Sequence, residues 1–129
     1  MEKRIINPWK WQDDRNYVQA VEVKNVQSTL YVSGQTAIDD QGITSDDDMR
    51  TQIIKTLENL ETVILQADFE IKNIVRLNVY TTDHPSFFEN FDIWQNWITK
   101  HGIQQATNVI EVKTLFETLK VEMEATVVK

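Results

Sequence analysis

Cysteine is missing from all 129 residues, which excludes disulfide scaffolds, cysteine-ligated zinc and thiol nucleophiles. Its absence suits a reducing compartment, so a cytoplasmic location is expected. Glycine is scarce too: Gly34, Gly42 and Gly102 are the only three, too scattered to cradle a phosphate, and no nucleotide or other cofactor is expected. The two histidines, His84 and His101, have no paired carboxylate at ligand spacing, so they read as helix-end residues and no metal is expected. Ser33 lacks both the nucleophile-elbow glycines and a histidine placed to act as its base. Positive charge is in the minority, with 13 basic against 20 acidic residues and a net charge of −7. A nucleic-acid binder draws much of its affinity from clustered basic side chains, so no nucleic-acid partner is expected. Long apolar runs are lacking as well. The opening Met1-Glu2-Lys3-Arg4-Ile5-Ile6 has no signal-peptide core, and nothing approaches the roughly 18 residues of a membrane span, so no membrane partner is expected.

What the chain does hold is an ordinary apolar content, 41%, in short alternating patterns. One domain, residues 1–129, with one core is expected. Tyr17 to Val23 reads as a strand, and Thr29 to Gln35 as a second one after the turn-prone Lys24-Asn25-Val26-Gln27-Ser28; the pair is expected to form a hairpin. Asp39-Asp40-Gln41-Gly42 reads as a turn. From about Asp47 to Ala67, Met49, Ile53, Leu57, Leu60 and Ile64, backed by Ile54 and Val63, recur at helical spacing. The run Asp46-Asp47-Asp48 suits the positive end of that helix better than it suits a metal. Ile74 to Tyr80 sets Val75, Leu77 and Val79 against Arg76, Asn78 and Tyr80, a strand with two unlike faces. Pro85 opens a second helix, roughly Ser86 to His101, which Gly102 ends. Its stripe of Phe87, Phe91, Trp94 and Ile98 reads as core, with ligand stacking as the alternative. Strands around Thr107 to Val112 and Lys120 to Val128 complete the order β-β-α-β-α-β-β.

Two helices covering one face of a single mixed sheet make an α+β fold. The other face then carries Arg76, Asn78, Tyr80, Glu122 and Glu124, too polar for a monomer's core and suited to a partly wet subunit interface.

The most informative segment is Leu30-Tyr31-Val32-Ser33-Gly34-Gln35-Thr36-Ala37-Ile38-Asp39, an alternating strand interrupted by a Ser-Gly pair. Glycine inside a strand weakens it unless something must approach the backbone closely, as a small-molecule pocket requires. Together with Gln52 to Leu60, Val75 to Thr82 and the closing Val121-Glu122-Met123-Glu124-Ala125, this segment resembles the Rid family of reactive-intermediate deaminases, also called YjgF-like proteins. The resemblance runs from Tyr17 to Val127. It implies a chorismate-mutase-like α+β fold, a homotrimer, and a small-molecule metabolite bound in each cleft between neighbouring subunits. The ribonuclease label that some Rid-like proteins carry does not suit a chain this acidic.

Carried over position by position, the resemblance makes Tyr17 a pocket residue, with plain packing as the alternative. It places the Ser33-Gly34 backbone against the ligand and Phe91 and Val109 in the lining. Glu122 becomes the residue that positions or activates water, a structural role being the alternative. It also exposes a departure. In the family segment that resembles Pro-Ala-Arg-Thr-x-Val-Glu-Val, this chain reads Gln105-Ala106-Thr107-Asn108-Val109-Ile110-Glu111-Val112, so Thr107 stands where an arginine would grip a substrate carboxylate. A guanidinium offers two parallel charge-assisted hydrogen bonds that a hydroxyl cannot reproduce. The nearest cations in sequence are Arg76 and Lys113. A second departure places Phe91 at the family's pocket asparagine, although a shift of one residue offers Asn90. The expected function is a pocket retuned away from 2-imino acids. The alternatives are surviving enamine or imine hydrolysis to ketone and ammonia by a C=N hydrolase, and a non-enzymatic interaction protein.

Overall fold

The computed structural model describes residues 1–129. Strands β1 (Glu2–Ile6), β2 (Ala20–Lys24) and β3 (Thr29–Gln35) precede helix α1 (Met49–Gln66). Then follow β4 (Ile74–Thr81), helices α2 (His84–Glu89) and α3 (Phe91–His101), β5 (Ala106–Glu111) and β6 (Val121–Val128). The architecture is α+β. Its main sheet is mixed and four-stranded in the order β3-β6-β4-β5, with only β4 and β5 parallel, and a separate two-stranded sheet joins β1 to β2.

The hairpin expected between the second and third strands does not form. β2 pairs instead with β1, antiparallel from Glu2 opposite Lys24 to Ile6 opposite Ala20. The intervening segment turns away at Asn25, whose φ of 56° is left-handed. It is then tied to the C-terminus, the amides of Gln27 and Ser28 donating to the Lys129 carbonyl at 2.7 and 2.9 Å. The first strand was missed because Glu2-Lys3-Arg4 carries no apolar alternation.

Helix α1 lies on the sheet through the expected positions: Met49, Ile53, Leu57, Leu60 and Ile64 are buried against Leu77, Val79, Val121, Met123 and Val127. Ile54, by contrast, points to solvent. The Asp48 side chain caps the helix by accepting from the Thr51 amide at 2.9 Å, and this bond holds its carboxyl below the ordinary aspartate range. Gly102 ends α3 in the left-handed conformation at φ 65°. The expected single second helix is two. Asn90 breaks it, its side-chain amide donating to the Ser86 carbonyl at 2.9 Å in competition with the helical ladder.

Opposite the helices, the sheet presents Arg76, Asn78, Tyr80, Glu122 and Glu124 partly or fully exposed, together with Tyr31 at 80% exposure. Strand β3 is irregular on this side of the molecule: Val32 faces Ala125 but Gln35 faces Met123, so one extra residue is accommodated around Ser33-Gly34. No helix is long and apolar enough to cross a membrane.

Candidate functional site

A cleft of about 550 Å³ opens between the β5 edge, the start of α3 and the segment leading into β2. It gathers four of the residues singled out in the sequence: Tyr17, Phe91, Thr107 and Val109. Tyr17 is held by its neighbour Asn16, which adopts a left-handed φ of 59°. The Asn16 side chain donates to Thr99 Oγ1 at 2.9 Å and accepts from Gln95 Nε2 at 3.1 Å, while its carbonyl accepts from Gln105 Nε2 at 2.9 Å. Those bonds fasten the Tyr17 segment to α3 and β5. Phe91 opens α3 directly after the Asn90 break and stacks on Trp94, ring centroids 5.0 Å apart at 18°, with Phe88 tilted against it at 4.8 Å. Asn90 is not part of the lining.

Thr107 pairs with Leu77 of β4, and its hydroxyl donates to the Leu77 carbonyl. The hydroxyl is thus turned toward the chain's own backbone. Neither Arg76 nor Lys113 reaches this cleft; Arg76 lines a groove with Tyr31 and Glu124 on the opposite sheet face. The cation in the lining is Arg15, which sequence reasoning missed. Its position two residues before Tyr17 in an irregular segment was the available signal.

The other predicted residues lie elsewhere. Glu122 faces away from the helices on β6, paired with Tyr80, and Gly34 sits beside it on β3. A Cβ built on Gly34 would stand 2.5 Å from Glu122 Oε2 and 2.6 Å from its Cδ, so the glycine exists here to admit the glutamate side chain. The Gly34 φ is not positive, so the backbone itself makes no demand for glycine. Ser33 shares this irregular stretch and is exposed. The two acids of β6 are set apart by their surroundings. Burial, and secondly the charge of Glu124, raises the Glu122 carboxyl above the ordinary glutamate range. Glu124 is lowered by hydrogen bonds from Tyr80 Oη at 2.6 Å and Asn78 Nδ2 at 3.2 Å. Such a split pair assigns different chemistry to each member, with Glu122 the one suited to exchange protons.

His84 lies exposed at the start of α2, its ring tilted at 56° against Phe88 with centroids 4.6 Å apart. His101, in the last turn of α3, has Nε2 3.1 Å from Glu61 Oε1, which also accepts from Trp97 Nε1 at 2.6 Å. No group of three or more histidine, cysteine, aspartate or glutamate side chains is arranged to hold a metal.

Comparison with known proteins identifies the family and the fold. A RutC family protein of Aquifex aeolicus is 29% identical over 113 residues, 88% of each chain. YyfB of Yersinia pestis, a Rid family protein of unknown function, superposes over 100% of both chains with a TM-score of 0.87 at 27% identity. TdcF of Escherichia coli, provisionally named a reactive intermediate deaminase, was crystallised with bound serine; it matches 88% of this chain and 87% of its own with a TM-score of 0.72 at 25% identity. The family model described as endoribonuclease L-PSP matches residues 12–129. With nearly the whole chain covered by that model and Rid proteins among its structural neighbours, the protein belongs to the endoribonuclease L-PSP family, the Rid or YjgF family.

Proposed function

We propose that this chain is a homotrimer binding a small-molecule metabolite in each inter-subunit cleft, and that the cleft is retuned away from 2-imino acids. The observation that carries the reading is Thr107. At the position where the family resemblance puts a carboxylate-gripping arginine, this chain has a hydroxyl already committed to the Leu77 carbonyl, beside the Phe91–Trp94 stack. Each lost hydrogen bond to a charged group weakens binding by about 1.5–3 kcal/mol, so a small carboxylate bound at that point is held far less firmly. The division of the site residues between two sheet faces supports the trimer. Tyr17, Phe91, Thr107 and Val109 form one wall, while Ser33, Gly34 and Glu122 lie outside it, so a site that uses both sets draws the second from a neighbouring copy. The polar, half-exposed face bearing Glu122 and Glu124 is a fitting surface for such a contact.

The raised Glu122 carboxyl favours a second reading, hydrolysis of an uncharged imine or enamine. In that scheme Glu122 takes a proton from water as the water oxygen bonds to the C=N carbon and passes it to the nitrogen, giving a carbinolamine. It then carries the hydroxyl proton to the nitrogen as the C–N bond breaks, giving ketone and ammonia, an enamine entering as its imine tautomer. A coupled amino-acid oxidase assay tests the retuning, and ammonia release from an uncharged imine tests the second reading. The retuned cleft leaves hydrolysis of 2-imino acids at the uncatalysed background; hydrolysis as fast as that of an arginine-bearing Rid protein refutes it. Light scattering at micromolar concentration tests the assembly, and a monodisperse monomer removes the shared cleft.

A further inference from the structure

We infer that Arg15 is the anion anchor of the cleft and that its ligand is a carboxylate carrying an aromatic or similarly bulky apolar body; this rests on the reading of the cleft as a small-molecule site. Arg15 is the sole cation that one protomer contributes to the lining, and that protomer contributes no aspartate or glutamate to it, so this wall has a local sign opposite to the chain's net charge of −7. The Arg15 side chain forms none of the ion pairs in the molecule. Its guanidinium carbon instead lies 5.2 Å from the centroid of the Trp11 ring. Trp11 is itself stacked on Trp9, centroids 5.9 Å apart at 22°. Both indoles remain more than half exposed, at 54% and 55%, an unfavourable placement for two tryptophans. A cation–π contact places the guanidinium over the ring and leaves its N–H groups able to donate to a planar anion. Arg15 is thus held on an aromatic platform with its donors unused.

The rest of the lining specifies the other end of the ligand. Phe88, Phe91 and Trp94 make one aromatic wall, and Phe88 is 41% exposed. The Thr107 hydroxyl there is turned toward the Leu77 carbonyl. A ligand with its carboxylate against Arg15 and its ring on Phe91 satisfies both ends. A three-carbon or four-carbon acid lacks the apolar body to occupy that wall.

The test is calorimetric titration with 3-phenylpropionate and its neutral isostere 3-phenylpropionamide, against wild type, Arg15→Gln, Arg15→Lys and Phe91→Ala. Wild type should prefer the acid to the amide on the order of tenfold, as expected for hydrogen bonds to a charged partner. Arg15→Gln should erase that preference while leaving amide affinity in place, Arg15→Lys should restore part of it, and Phe91→Ala should weaken both probes alike. Equal binding of acid and amide by wild type, or a preference that survives Arg15→Gln, overturns the role of Arg15; Phe91→Ala still weakening both probes then leaves the cleft reading intact. If wild type binds neither probe, both the inference and the cleft reading fall.

Discussion

Replacing Gly34 by alanine tests whether this glycine serves Glu122. The added methyl meets Glu122 Oε2, Cδ and Cγ at 2.5, 2.6 and 2.9 Å, all well inside contact distance. Because Cγ is among them, rotating the carboxylate is not enough and the whole side chain must leave its present path. Overpacking of this kind costs about 1–3 kcal/mol. Against it stands the reduced freedom of the unfolded chain, which stabilises a glycine-to-alanine change by about 0.4–1 kcal/mol where the backbone is compatible. Gly34 is such a position, since its φ is not positive. In the wild-type background the clash wins, and urea unfolding at fixed protomer concentration should show a net loss of up to about 2.5 kcal/mol. In a Glu122→Ala background the obstacle is gone, and the same substitution should stabilise by about 0.4–1 kcal/mol. The sign reversal is the diagnostic, with a coupling of about 0.5–3 kcal/mol across the double-mutant cycle. Equal effects of Gly34→Ala in both backgrounds would show that the glycine answers to the strand irregularity and not to the acid.

Three further outcomes are expected. Glu122 has its folded value raised, so its contribution is fully present at low pH and is lost as pH rises through that value. Glu122→Gln should therefore gain stability relative to wild type as pH climbs from the ordinary glutamate range toward neutrality, and urea midpoints that keep a constant offset across that range would contradict it. Tyr80→Phe removes the 2.6 Å bond that helps hold Glu124 down. Carbon-detected NMR should find the Glu124 carboxyl titrating closer to the ordinary range, with a stability loss of about 1 kcal/mol, and an unmoved titration refutes the assignment. Thr107→Arg alone should recover little affinity for 2-ketobutyrate, because the guanidinium would meet the Phe91–Trp94 stack. Adding Phe91→Asn should raise it beyond additivity by about 0.5–3 kcal/mol, and full rescue by the single change would return the cleft to an ordinary Rid pocket lacking one residue.

Period and punctuation made much of the fold readable. The spacing of Met49, Ile53, Leu57, Leu60 and Ile64 placed the buried face of α1, and Gly102 marked the end of α3. Alternation around Leu77 and Val79 separated the two faces of β4. The β1–β2 pairing was illegible because Glu2-Lys3-Arg4 hides a strand in polar residues and its partner is chosen by long-range register. Asn90 broke a helix that periodicity made continuous, through a side-chain bond only coordinates reveal. At the site, Tyr17, Phe91, Thr107 and Val109 line one cleft, while Ser33, Gly34 and Glu122 lie outside it. Arg15 did not announce itself, for a lone arginine in an irregular segment gains meaning only from what the tertiary structure lays beside it.

The final strand of the main sheet in chain order, β6, is also a central one, lying between β3 and β4. Until Val121 to Val128 leave the ribosome, β3 has no partner in the main sheet and β4 keeps one edge open. The nascent chain thus displays two unpaired strand edges and the apolar face of α1, the condition in which chains associate wrongly. Closure also joins segments far apart in sequence, Thr29 to Val128 at the extreme, which makes for slow folding. The main sheet cannot close before β6 has been made, and a chain stalled short of β6 should be the species that chaperones hold.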